Sequence, residues 1–210
     1  LAFIGFDGAV RLLDIASGKP KLEYPIWFPT SGKLLASGNR LIVGGANTHV
    51  IAIDMRSVDL PFEKIIRSWW ARLWLWGMAP SPGSPRGYLW HNSSLKGVEP
   101  NPFTADKNFV YVGIKDSKSL DSGGQIVALG IDDGEFIWKT LLDSFPISAH
   151  LVGQGSLLVA TKSGKLYFLN KSSGFPTHNV ESGFSLGAPP ALGHNQLVVV
   201  DKSGIIKSLK

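Results

Sequence analysis

The feature that most constrains this chain is that it repeats itself. With FIGFDGAVRLLDIASGK at 3–19 as the template, VGGANTHVIAIDMRS at 43–57 aligns so that Asp54 falls on Asp14 and Asn47 on Asp7. GGQIVALGIDDGE at 123–135 places Gly124 on Gly8 and Gly134 on Gly18, and SGKLYFLNKSSG at 163–174 brings Gly174 to the same place. SGIIKSL at 203–209 follows. Equivalent residues stand at 7, 47, 123, 163 and 203, in steps of 40, 76, 40 and 40. A period of that length decides the fold class before any single element does.

Each unit has one grammar. An apolar run (LAFIG, RLIVGG, FVYVGI, LLVAT, LVVVD) meets a short polar turn, and a second run follows (AVRLLDI, HVIAID, QIVALGI, KLYFLN, IIKSL). That is a β-hairpin pattern, with Gly supplying the positive φ that tight turns need. A second turn (ASGK, DDGE, SSGF) opens a third strand, and SGKLLASGN, SAHLVGQGS and GAPPALGHN precede the hairpins. Four strands per roughly 40 residues is the spacing of a β-propeller blade, and one such sheet cannot bury both of its faces alone. The expectation is an all-β chain of about five blade units forming one propeller domain over 1–210. Its ends leave strands over, as expected of part of a larger propeller.

The step of 76 exceeds one repeat by 36 residues. Part falls to the long turn KDSKSLDSGG at 115–124 and the rest to an interruption at about 61–102, which holds five of the seven Trp residues. Three readings compete for it. The segment KIIRSWWARLWLWG could complete one blade and start the next, with core tryptophans and with Trp74 and Trp76 on one strand face. It could be a partner-binding insertion through Trp69, Trp70, Arg72, Trp74, Trp76, Arg86, Tyr88 and Trp90, since Trp and Arg anchor interfaces. It could also lie on a membrane surface as an aromatic cluster; with Arg72 inside, it is too short to span one.

Composition narrows the chemistry. There is no Cys, which excludes disulfides, thiolate zinc and a cysteine nucleophile. The formal charge of +5 is spread through turns such as TKSGK, so nucleic acid is not implied. His49, His91, His150, His178 and His194 are scattered singly, without metal-ligand spacing. Asp7, Asp116, Asp121, Asp132, Asp133 and Asp201 sit in turns, and Asp14 and Asp54 read as corner hydrogen-bonders. Neither a G-x-S-x-G elbow nor a phosphate loop occurs. Two sequons, at Asn92 and Asn170, matter only in a secretory pathway.

The sequence GGQIVALGIDDGEFIWKT resembles the PQQ-like repeat of quinoprotein dehydrogenases and of their non-enzymatic relatives, the outer-membrane assembly propellers. The resemblance implies that Trp138 docks adjacent blades, with Gly18, Gly134 and Gly174 at equivalent corners. Leu22 and His178 occupy the Trp place in the first and fourth units, and the second unit lacks the Gly turn. The resembled enzymes hold the quinone with an Asp base, a calcium site of Asp, Glu and Asn, a Trp platform and vicinal Cys. No Cys and no convergent set of that kind can be placed here, so no cofactor, metal or small-molecule substrate is expected.

The expected function is therefore a non-catalytic scaffold that binds other protein subunits. The alternatives are a fragment of a quinoprotein oxidoreductase with its cofactor residues elsewhere, and a carbohydrate-binding propeller stacking sugars on Trp90 and Tyr88. The resemblance also implies an exported location.

Overall fold

The computed structural model describes residues 1–95, 97–115, 123–153, 155–193 and 196–209. Eighteen strands form five antiparallel sheets among them. The first holds β1 (Ala2–Ile4), β2 (Ala9–Leu13) and β3 (Pro20–Pro25). The second holds β4 (Thr30–Ser37), β5 (Arg40–Gly45), β6 (Val50–Asp54) and β7 (Tyr88–Asn92). The third is β8 (Val98–Ala105), β9 (Phe109–Lys115), β10 (Gly124–Gly130) and β11 (Phe136–Leu142). The fourth is β12 (Pro146–Val152), β13 (Ser156–Thr161), β14 (Lys165–Asn170) and β15 (Pro176–Glu181). The last is β16 (Ala191–Gly193), β17 (Gln196–Val200) and β18 (Ile206–Leu209). These are the blades of a β-propeller, each a meander in chain order.

The apolar runs of the sequence are the middle strands, and their composition follows from burial on both faces. On β5, Leu41 and Val43 pack with Val10, Leu12, Leu22 and Tyr24 of the first blade. Ile42, pointing the other way, packs with Val110, Val112 and Leu129 of the third. The alternation recurs on β13, where Leu157 and Val159 meet Tyr111, Ile126 and Trp138. Leu158 and Ala160 meet Leu186 and Val199 of the last blade. Each side chain of this kind contributes roughly 1.5–3 kcal/mol when fully buried, and every inner blade needs both neighbours to collect it.

The turns agree with the repeat. Gly18, Gly134 and Gly174 have φ of 67°, 70° and 73°. Their N–H groups donate to Asp14 O, Gly130 O and Asn170 O at 2.8–2.9 Å. Asp14 Oδ1 accepts from Ser17 N at 2.8 Å, and Asp54 Oδ1 from Arg56 N at 2.9 Å. The turn caps expected at Asp7, Asp133 and Asp201 accept from Ala9 N, Glu135 N and Ser203 N, while Asp132 pairs with Arg40 instead. Asp116, Asp121, most of the 115–124 turn and His194 lie outside the described residues.

Of the three readings of the interruption, the one that makes KIIRSWWARLWLWG blade strand is not met. KIIRSWWARLWLW is not a strand: Glu63–Leu75 is a helix, α1, none of whose residues is buried. It lies in the connection between β6 and β7, which runs from 55 to 87; residues 88–92 and 98–102 are already strand. The second unit lacks its Gly turn because this excursion stands in place of the five-residue turn that joins β10 to β11. Apolar spacing explains the misreading. Trp74 and Trp76 alternate as in a strand, but Ile65, Ile66, Trp69, Trp70 and Leu73 follow the three-to-four spacing of a helix.

Candidate functional site

The excursion is held by its polar residues. Glu63 Oε2 accepts from Leu60 N at 3.1 Å and pairs with Arg86 Nε at 2.8 Å. One turn on, Arg67 donates to Gly83 O at 2.7 Å and Ser84 O at 3.2 Å. Lys64 pairs with Glu23 of β3, whose carboxyl Lys64 and Arg11 together hold below its usual value although burial opposes them. Glu63, Arg67 and Ala71, four residues apart, form a less exposed line along α1.

The helix ends where its chemistry runs out. Gly77 adopts φ +72°, Gly77 N donates to Trp74 O at 2.9 Å and Met78 N to Leu73 O at 2.8 Å, a Schellman stop followed by Pro80 and Pro82. Glu63 in the first turn and Arg72 in the last both suit the helix dipole. Trp70 Nε1 donates to Pro80 O at 2.9 Å, so the Pro/Gly loop folds back against the helix.

The consequence is a helix turned inside out. Ile65, Ile66, Trp69, Trp70, Trp74 and Trp76 are all exposed, Trp69 at 56%. Phe62 before the helix and Met78 after it extend the patch. Arg72 lies over the Trp69 ring, 5.3 Å from its centroid. The structure thus brings Trp69, Trp70, Arg72, Trp74 and Trp76 together on one exposed element. Arg86 serves the helix base, and Tyr88 starts β7 at the margin of exposure.

Trp90 does not belong with them. It is 5% exposed, within the core between the second and third blades. Its Nε1 donates to Ile131 O at 3.0 Å, and a Cβ on Gly134 would lie 2.6 Å from its Cδ2. Trp138 makes the same set of contacts one blade on: Nε1 to Lys171 O at 3.1 Å, and 2.6 Å from Cδ2 to a Cβ on Gly174. Two residues further, Asn92 Nδ2 donates to Gly134 O at 2.7 Å and Thr140 Oγ1 to Gly174 O at 2.6 Å. Trp90 is the second blade's docking tryptophan, and a buried ring cannot be an interface anchor or a sugar-stacking platform. Gly18 has no atom within 4 Å of where its Cβ would be.

One pair of side chains escaped sequence reasoning. His49 and His91, which the sequence shows singly, meet with Nδ1···Nε2 at 2.9 Å. Phe28 stacks on both rings, at 4.8 and 5.7 Å, and Trp27 stands edge-on to His91 at 5.6 Å. Burial pushes the His91 imidazole below its ordinary value, and His49 adds to the shift. The signal was the hairpin register: Ile51 opposes His91 and Val50 opposes Asn92, which brings His49 to the same end of the β6–β7 pair. Among the described residues, no group of three or more His, Cys, Asp or Glu converges to hold a metal ion. No helix among the described residues is long and apolar enough to cross a membrane.

The family model described as outer membrane protein assembly factor BamB matches residues 72–209. No curated protein matches the sequence. Among solved structures, the dihydro-heme d1 dehydrogenase NirN in complex with DHE is similar over 100% of this chain and 40% of its own, at 14% identity and a TM-score of 0.71. The C-terminal WD40 domain of Sif2 matches over 99% of this chain and 50% of its own, at 7% identity and a TM-score of 0.68. BBS1N in complex with ARL6DN matches over 96% of this chain and 58% of its own, at 15% identity and a TM-score of 0.62. The chain thus spans less than two thirds of each of these proteins, and at such identities the likeness is one of fold.

Proposed function

This chain belongs to the PQQ-type repeat family described as outer membrane protein assembly factor BamB, and from that premise we propose that it is a non-catalytic scaffold working as a subunit of a larger assembly. Other protein subunits contact the propeller body, and α1 with its loop is the element by which the chain is docked. The observation that carries this reading is the orientation of α1. Its ion pairs and carbonyl bonds bind it to the propeller and to its own loop, and its tryptophans are left outside. A contiguous exposed apolar patch of that kind marks an interaction site.

Two further points support a scaffold. The family description names an assembly factor, and BBS1N, which shares the fold, was crystallised in complex with ARL6DN. Fold alone does not confer the chemistry of enzymes such as NirN.

The test is the state of the full chain in its native extract, followed by size-exclusion chromatography and cross-linking. The parent chain should elute in a complex, with cross-links from its blades to other subunits, and a Trp69→Ser/Trp76→Ser variant should elute free. A parent chain that elutes alone and uncross-linked removes the scaffold reading. A variant that stays in the complex removes α1 as the docking element. Added PQQ and calcium should give neither a quinone absorbance band nor dye reduction; either would favour the oxidoreductase alternative.

A further inference from the structure

From Lys64 to Arg86 the chain carries four cations, Lys64, Arg67, Arg72 and Arg86, and no carboxylate. Lys64 is paired with Glu23 and Arg86 with Glu63, and Arg67 is held by Gly83 O and Ser84 O, so the charge left beside the aromatic rings is that of Arg72 over Trp69. Its complement is anionic.

The shape of the patch separates the anionic candidates. A helix received by a protein groove shows a narrow stripe at i, i+3, i+4 and i+7. On α1 the apolar residues Ile65, Trp76, Trp69, Leu73, Ile66, Trp70 and Trp74 follow one another around about half the helix circumference at 100° per residue, and all but Leu73 are exposed. Such a width suits a flat apolar boundary. Tryptophan is enriched at the interface between lipid headgroups and acyl chains, and a helix with one aromatic face and cationic flanks lies in that plane. At 100° per residue, Ile65, Trp69 and Trp76 lie opposite the less exposed line of Glu63, Arg67 and Ala71.

Resting on the reading of α1 as the docking element, we infer that its occupant is a membrane surface carrying anionic headgroups. α1 lies in the interface with Trp69 and Trp76 inserted, and Arg72 beside them faces headgroup phosphates. The blades then make the protein contacts of the assembly on that surface, and a chain that loses the surface leaves the assembly as well.

The experiment uses the full chain with phosphatidylcholine vesicles, with and without phosphatidylglycerol. Co-sedimentation should strengthen about tenfold when phosphatidylglycerol is included and weaken as salt is raised. Tryptophan emission should shift to the blue and be quenched by lipids brominated in their acyl chains. The Trp69→Ser/Trp76→Ser variant should lose about tenfold or more in partitioning at an unchanged melting temperature. Arg72→Gln should lose about fivefold on anionic vesicles and little on neutral ones. A parent chain that stays in the supernatant with both vesicle types overturns the inference, as does a double variant that binds as well as its parent. If the double variant leaves the native assembly while the parent ignores vesicles, α1 remains a docking element and its occupant is a protein.

Discussion

Gly134 and Gly18 are equivalent in the repeat and share a left-handed φ near 70°, yet they have different neighbours. Alanine at Gly18 meets only the backbone penalty, about 1 kcal/mol. At Gly134 the added Cβ also displaces the Trp90 ring, and the total rises to roughly 2–4 kcal/mol. Thermal or urea melts of the two variants should differ by roughly 1–3 kcal/mol, and Trp90→Ala should cost about 3–5 kcal/mol. The histidines make a pH prediction. Burial holds His91 and His150 below the ordinary imidazole value of 6.5, with His49 adding to the shift at His91 and a Pro190 backbone bond opposing it at His150. A lowered folded value means that the unfolded chain binds the extra proton. The stabilisation is therefore complete above the ordinary value and fades as pH falls below it. The melting temperature should drop between pH 7 and pH 5, and the drop should shrink in a His91→Gln/His150→Gln variant. The carboxylates held low, such as Asp54 beside Arg56 and Asp201 beside Ser203, lose their contribution only below the ordinary carboxylate value, outside that window.

At the scale of the element, α1 is an appendage to a hairpin that closes without it. Asp54 N donates to Gly87 O at 2.7 Å, so the strand ends already meet. Replacing residues 61–84 by a short Gly/Ser linker should leave the β-type circular dichroism intact and change stability by about 1 kcal/mol or less, because loop closure depends only weakly on length. A collapse of the propeller on deletion would show that α1 is part of the core. Arg67→Ala acts differently: it removes the bonds to Gly83 O and Ser84 O. Amide exchange should then quicken across α1 while the blades remain protected.

At the scale of the whole molecule, stability runs along the order of the blades. Tyr111 OH and Trp138 Nε1 both donate to Lys171 O, at 3.3 and 3.1 Å, and Lys171 Nζ pairs with Asp106 at 3.1 Å, which joins the third blade to the fourth. Asp106 is the better partner for being ionised: burial raises its carboxyl, but bonds from Asn108 N, Phe109 N and Lys171 outweigh that and hold it low. Stacked repeats share stability mainly with their neighbours. Hydrogen exchange should therefore be slowest in β9, β10 and β13, which lie between blades, and faster in β15 and in residues 206–208 of β18, which are exposed. Uniform protection across all strands would contradict that picture.

The repeat, the strands and the turn glycines were legible in the sequence because they depend on local rules: alternation of apolar residues, and a positive φ that Gly supplies. Trp138 was marked by the resemblance of its unit, the best-kept one, to the PQQ-like repeat. Trp90 was not. The excursion erased the turn that would have marked its place, and only the packing of its ring on Gly134 identifies it. The His49–His91 contact was hidden because hairpin register unites residues 42 positions apart. Short apolar spacing fits helix and strand alike, and what settled α1 was a set of bonds from Glu63, Lys64 and Arg67 to partners from 16 to 41 residues away. The sequence by itself determined that blades would form and stack. Which tryptophans lie between them and which face outward was decided by the tertiary structure, because burial is a property of the neighbours a side chain meets.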